Sequence, residues 1–318
     1  MRIPAEMTGF PAAKKKPSRG CGLVCIEAVR DDCRQRGQQV LSTDESRPYL
    51  RSEITSLQYS YPFRFLLPEN CSPSPCRWIY PMSFGGGLVG GDSIKVAVTV
   101  GEECACVVTS QESTKVYHCD HSRETEQDLV YTVTDFALLC VLQDPVVCFK
   151  GANFHQTQVV KLTPQSNLVF LDWMLSGRSA LLESWCFLRY LNCVEIRLLD
   201  EVVLRELSDL EDTPYKSVSE GMMGWQACGL CVVLGIRVQH VAEALMDKYS
   251  RKRDIGERSS LELVVSISEV SYTVQGQTIS GCYLRFLASS IEQASKVIRD
   301  ITSPLLQVLG ADPYKNKL

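Results

Sequence analysis

Long hydrophobic runs are missing from this 318-residue chain. The longest apolar stretch, roughly Ala227 to Ile236, falls well short of the ~20 residues that a membrane helix needs. No membrane partner is expected. No apolar leader follows Met1, which points away from a secretory signal and towards a cytoplasmic location. Basic excess is missing too. The net charge of −4 and a pI of about 5.7 give no reason to expect a nucleic-acid partner. Histidine is scarce, at 4 residues, and no H-x-x-x-H pair sits in a helical stretch to build a hydrolytic zinc site. A G-x-S-x-G nucleophile turn is absent as well.

Cysteine, in contrast, is abundant, with 15 residues. Without a leader, most are expected to be reduced and to act as small buried hydrophobes. Cys21/Cys25, Cys71/Cys76 and Cys228/Cys231 lack the matching second pair of a structural zinc site. Hydrophobic residues make up 45% and charged residues 22%, an ordinary globular balance.

Strand-like segments dominate the middle of the chain. Residues 94–100, 104–110, 128–134, 136–142, 155–163, 167–173, 184–190 and 193–199 are rich in Val, Ile, Thr and aromatics. Turn residues punctuate them, and several alternate apolar with polar positions. The spacing, without helical segments between, predicts a mostly β, single-domain fold rather than a βαβ one. Residues 261–274 and 281–289 read as a hairpin around "QGQ" (275–277). Two α-helices are expected in the C-terminal third. The first spans 240–253, with Val241, Ala244 and Leu245 on one face. The second starts at Ser289, with Glu292 completing a capping box and Ile291, Val297, Ile298, Ile301 and Leu305 as its buried stripe. Pro304 ends or kinks it. Residues 1–17 read as a flexible tail, 18–310 as one domain and 311–318 as a second tail. No internal repeat is evident.

"FGGGLVGGD" (84–92) packs Gly85, Gly86, Gly87, Gly90 and Gly91 ahead of Asp92. A phosphate loop needs such glycines between a strand and a helix, with a Gly-Lys-Ser/Thr sequence. Here a strand, "SIKVAVTV", follows. The run is therefore expected to be a strand-connecting turn, with some glycines at positive φ and others admitting close backbone approach. Asp92 would accept hydrogen bonds from nearby amides or pair with Lys115.

Four blocks in order, "GGGLVGGD" (85–92), "TSQESTKVYH" (109–118), "DPVVCFKGANFHQ" (144–156) and "LDWMLSGRSALLESWCFLRY" (171–190), closely resemble the urease accessory protein D family. "SRGCGLVCIEAV" (18–29) is similar to its opening strand and residues 283–305 to its final strand and helix. The resemblance implies a mostly β, β-helix-like body carrying two helices and a non-enzymatic role. It also implies binding to the F and G accessory proteins, the latter a GTPase, and to apo-urease. Nickel would pass to the urease active site, transiently held and with no tightly bound cofactor. A homodimer within such a complex is a further expectation.

Within that frame His118, Cys119, Asp120 and His121 are consecutive potential ligands. Imidazole and thiolate suit Ni(II), so His118, Cys119 and His121 are candidates for transient metal contact. In a strand Cys119 and His121 would share a face, as would Cys104 and Cys106. The plainer reading is an exposed turn beside two buried cysteines. Gln111, Thr114, Lys115 and Tyr117 belong to the family-like motif, and their plainer role is structural. Asp92, Glu112, Asp144 and Glu183 are candidates for a polar passage for a hydrated cation. Trp173, Arg178 and Trp185 carry the residue types that interfaces concentrate, against the reading that both tryptophans are core. Two other functions compete: a metal-dependent hydrolase using His118 and His121 with Glu124 as base, and a β-rich binding module unrelated to nickel.

Overall fold

The computed structural model describes residues 19–28, 50–68, 74–119, 123–250, 262–315 and 317. Its strands are β1 (Arg19–Ala28), β2 (Ser52–Tyr59), β3 (Phe63–Leu66), β4 (Arg77–Ser83), β5 (Ser93–Val100), β6 (Ala105–Thr109), β7 (Thr114–Val116), β8 (Thr125–Val133) and β9 (Leu138–Leu142). They continue as β10 (Val146–Cys148), β11 (Asn153–Leu162), β12 (Asn167–Leu175), β13 (Arg189–Leu198), β14 (Glu201–Glu211), β15 (Ala227–Leu234), β16 (Leu263–Val274) and β17 (Gln277–Ala288). The helices are α1 (Val218–Met222), α2 (Gln239–Tyr249), α3 (Ile291–Thr302) and α4 (Leu306–Leu309).

The middle of the chain winds as stacked coils. Strands β5, β8, β11 and β13 pair in parallel in one sheet, and β6, β9 and β12 do so in the other. Each of three crossings between the sheets uses four residues, 101–104, 134–137 and 163–166. These turns stack through backbone bonds such as Leu138 N–H to Cys104 O at 2.8 Å and Asn167 N–H to Ala137 O at 2.8 Å. So a structural repeat exists where the sequence shows none, because the coils share a path and a turn length, not residues. The full sheet orders are β14-β13-β11-β8-β5-β1-β2 and β16-β17-β15-β12-β9-β6-β4-β3, with β7 and β10 paired beside β12.

Burial explains the two kinds of strand pattern. One core lies between the sheets and holds Ile94, Val98, Leu129, Tyr131, Phe154 and Val108. A second core lies between the other face of the second sheet and the helices, with Val107, Cys140, Val233, Val241, Leu245, Val297, Ile298 and Ile301. The strands β6 and β9 are thus covered on both faces and read as continuous apolar runs. Strand β5 has one face in water and alternates. The described cysteines are free thiols, most of them buried.

Several expectations shift. Residues 184–190 form no strand over most of their length. Leu182 (φ 58°) and Trp185 (φ 56°) turn the backbone there, and β13 begins only at Arg189. Helix α2 buries Val241, Ala242 and Leu245, while Ala244 is exposed. Helix α3 is capped by Ser290 rather than Ser289, which leaves Ile291 partly exposed. Pro304 opens a 3-10 turn after the helix. Within the stretch expected to be a tail, Tyr314 is buried and donates to Gln143 O at 2.8 Å. The short α1 had no counterpart in the sequence reading. The hairpin turn falls as expected, with Gln275 at φ 52° and Gly276 at φ 78°.

Candidate functional site

The four family-like blocks, far apart in sequence, meet at one corner of the coils. In the glycine run Gly85, Gly86 and Gly91 have φ of 95°, 74° and 91°, a region where other residues are strained. Gly87 and Gly90 serve close approach instead. A Cβ on Gly87 would lie 2.5 Å from Lys115 O, and one on Gly90 would lie 2.9 Å from Cys119 Cα. That proximity lets Leu88 bridge to Val116 in parallel fashion, with Leu88 N–H donating to Lys115 O and Tyr117 N–H to Leu88 O, both at 2.8 Å. Strand β7, which contains Thr114 and Lys115, then pairs with β10. Phe149, just past β10, receives the Tyr117 ring edge-on at 5.2 Å. The Arg178 guanidinium lies over the Phe149 ring, 4.2 Å from its centroid. Arg178 in turn donates to both Glu183 oxygens, at 2.8 and 2.6 Å.

Of the two partners expected for Asp92, a nearby amide or Lys115, the amide is the one found. Asp92 accepts from Val89 N–H at 2.9 Å. Lys115 pairs with Glu112 at 2.7 Å, not with Asp92. Asp144 is buried, accepting from Ser110 Oγ at 3.0 Å and from Lys317 Nζ at 2.9 Å. Burial pushes its carboxyl up, against the opposing pull of Lys317 and Ser110. The Arg178 hydrogen bonds hold Glu183 below the usual carboxylate range. The four carboxylates considered for a passage are not gathered in either of the clefts that Glu112 and Glu183 line. Glu112 lines a cleft of about 360 Å³ together with Gly86, Gly87, Gln111, Thr114, Lys115 and Gln127. Glu183 lines a separate cleft beside Ile291, and Asp92 and Asp144 line neither.

The metal-ligand candidates are also divided. His118 is exposed and its ring packs on Gly151, where a Cβ would lie 2.2 Å from Nδ1. Cys119 is buried, with Sγ 3.6 Å from Thr125 Oγ1. Neighbours in an extended chain point apart, so the two do not converge. His121 lies outside the described residues. Cys104 and Cys106 do share a face, but it is the fully buried one, and burial raises both thiols. Glu124, considered as a hydrolytic base, stands 3.9 Å from His155 Nδ1. Among the described residues no group of three or more His, Cys, Asp or Glu is placed to hold a metal ion. Trp173 and Trp185 are core residues, 3% exposed each, with indole N–H groups donating to Gln143 O and Trp225 O. Of the three expected interface residues, only Arg178 keeps an exposed portion.

The feature the sequence reading missed is a polar row inside the coils. Gln127, Gln156, Asn192 and Ser208 occupy one rung across β8, β11, β13 and β14. Gln156 Nε2 donates to Gln127 Oε1 at 3.0 Å, and Gln158 Nε2 to Gln156 Oε1 at 3.4 Å. Gln158 Nε2 also donates to Asp172 Oδ1 at 3.0 Å, and Asn192 Nδ2 to Asp172 Oδ2 at 2.6 Å. The row begins in the cleft at Gln127 and ends in a second cavity of about 360 Å³ lined by Asp172, Asn192 and Ser208. Its signal in the sequence is "FHQTQVV" (154–160), where glutamines take inward positions of an alternating strand.

The described residues form a two-sheet coiled scaffold with an internal polar row. Residues 35–318 match the family described as UreD urease accessory protein. The chain is 34% identical to urease accessory protein D of Arabidopsis thaliana, over 83% of this chain and 95% of that one. It is 31% identical to the Oryza sativa subsp. japonica protein of that name, over 95% and 96%, and 34% identical to urease accessory protein UreD of Sorangium cellulosum, over 80% and 77%. The chain belongs to the urease accessory protein D family, which supports a role in urease maturation.

Proposed function

We propose that this chain is a non-enzymatic scaffold that joins F-like and G-like accessory proteins to apo-urease and lets nickel, as cargo, pass towards the urease active site. The observation that carries this reading is the row from Gln127 through Gln156 and Gln158 to Asn192 and Asp172, which links two cavities through an otherwise apolar interior. Buried polar side chains are retained at a cost in stability unless they are satisfied or used. Neutral amide oxygens suit a passing hydrated divalent ion, because they interact with it without holding it as carboxylates or thiolates do. Asp172 is the one carboxylate on the route.

The test is reconstitution. Apo-urease, the F and G proteins, nickel and bicarbonate are combined with the native chain, with Gln156→Leu, or with no chain, and ureolysis is measured. Activation that needs the chain and drops at least fivefold with Gln156→Leu supports the reading. Equal activation by the folded variant removes the row from the route, and activation without any chain removes the role itself.

A further inference from the structure

The cavity at the end of the polar row has a composition that the row does not account for. Its walls include Met174, Leu210, Met222, Leu230, Phe286 and Leu287, brought from both sheets and from α1. Two carboxylates, Glu206 and Asp172, line this mostly apolar space, and Asp172 is the one that no described cation pairs with. Both of its oxygens accept only neutral amide N–H groups, from Gln158 and Asn192. Among the described residues no Lys or Arg pairs with it. The nearby Arg285 is turned onto Glu206 and Tyr283, and so neutralises the other acid of the lining. A carboxylate in apolar surroundings without a countercharge is unfavourable as the ion, and burial raises the Asp172 carboxyl accordingly.

We infer that this cavity is a socket for one arginine or lysine side chain presented by a protein partner. The stem of such a side chain is apolar and its head cationic, which matches a cavity lined by Met, Leu and Phe together with a carboxylate that no described Lys or Arg pairs with. Arginine fits best, because a planar guanidinium is weakly hydrated and survives burial, and buried arginines in pockets are recurrent anchors of interfaces. The chain beside α1, which supplies Met222 to the lining, suits a protein rather than a free ion. On either side of α1, Tyr215 is 97% and Met223 78% exposed, and both are residue types that interfaces concentrate. A cation seated here would compete with metal for Asp172. The inference itself rests on the geometry of the socket and not on nickel transit.

The experiment titrates the full chain with capped Ala-Ala-Arg-Ala-Ala and with the same peptide carrying citrulline, the neutral isostere of arginine, followed by calorimetry or NMR shifts. The arginine peptide should bind at least tenfold more tightly. Asp172→Asn should abolish that difference while leaving the weak citrulline affinity in place. Ser208→Trp, which fills the cavity from the edge strand and keeps Asp172, should abolish binding of both. Equal affinity for the two peptides, or discrimination that survives either folded variant, overturns the socket. Free butylguanidinium binding tenfold tighter than the arginine peptide would identify a diffusible cation as the occupant and overturn the protein partner. None of these readouts involves nickel or urease, so failure here leaves the maturation role standing.

Discussion

Gly87 passes so close to Lys115 that a Cβ at position 87 would fall 2.5 Å from the Lys115 carbonyl oxygen and 2.6 Å from Tyr117 Cε2. Both are held in place, the first by its bond from Leu88 N–H and the second by the Phe149 contact. Gly87→Ala must therefore push the glycine turn off β7. A loss of about 3 kcal/mol is expected, at the upper end for overpacking. Gly85→Ala is the matched control: Gly85 has φ 95° but nothing within 4 Å of a new Cβ. It should lose only about 1 kcal/mol, the strain of a left-handed residue. Urea unfolding of the two variants decides the matter, and equal losses would contradict the packing account.

That contrast shows what the sequence carried. The run of glycines before a strand excluded a phosphate loop and pointed to close approach. Which glycine serves φ and which serves contact was not legible, because contact depends on residues near position 115. The same limit applies to the strands. Alternation along "IKVAVTV" revealed a half-buried strand, and the continuous run "FALLCVL" a strand, but not that the second lies between two layers. Parallel coiling leaves no residue signature when coils share only path and turn length. Tertiary placement likewise decided the site. Asp144 found Lys317 across 173 positions, and Trp185 went to the core through a positive-φ turn. The polar row was legible in principle from Gln156 and Gln158 in β11, though its continuation to Asp172 on the opposing sheet was not.

Gln158 holds the centre of that row, donating towards Gln156, Asp172 and Asn192. Replacing it with leucine keeps volume and removes a donor from Asp172. An acceptor left unsatisfied costs its desolvation, so Gln158→Leu should lose about 2 kcal/mol. Adding Asp172→Leu removes the stranded carboxylate as well. The double variant should then recover part of the loss, since replacing both partners of a buried polar pair is close to neutral. A double variant weaker than the sum of the single ones would argue against direct coupling.

Arg178 and Glu183 fix a pH dependence with a definite sign. The Arg178 hydrogen bonds lower the Glu183 carboxyl. A depressed acid contributes stability above its unfolded pKa, near ~4.3 for glutamate, and that contribution is lost as pH falls through the lower folded value. Native chain and Glu183→Gln should differ in stability at pH 6–7 and converge below about pH 4. Because Arg178 is 39% exposed, solvent screens the pair and the difference should shrink further in high salt. A gap that persists at pH 3 would assign the effect to something other than the carboxylate charge.

Lys317 places its ammonium against Asp144, a carboxylate 5% exposed in its side chain. Lys317→Met removes the charge and keeps most of the stem, which leaves Asp144 with Ser110 alone. Losing one partner of a largely buried pair should cost about 2 kcal/mol at pH 7, less than a fully buried pair because the lysine retains some solvent. Burial already raises Asp144, and without the ammonium its carboxyl rises further. For an acid with a raised folded pKa, the favourable contribution is complete below the unfolded value near ~3.9 and is lost as pH rises through the folded one. The deficit of Lys317→Met should therefore be largest at neutral pH and fade as pH approaches 4, opposite to the Glu183 case. Asp144→Asn combined with Lys317→Met should remove this deficit's pH dependence, because position 144 then carries no group to titrate. Unfolding curves from pH 4 to 8 test both statements. A deficit independent of pH would mean that residues 310–315 are held by the Tyr314 and Leu309 packing and not by the Lys317–Asp144 charge pair.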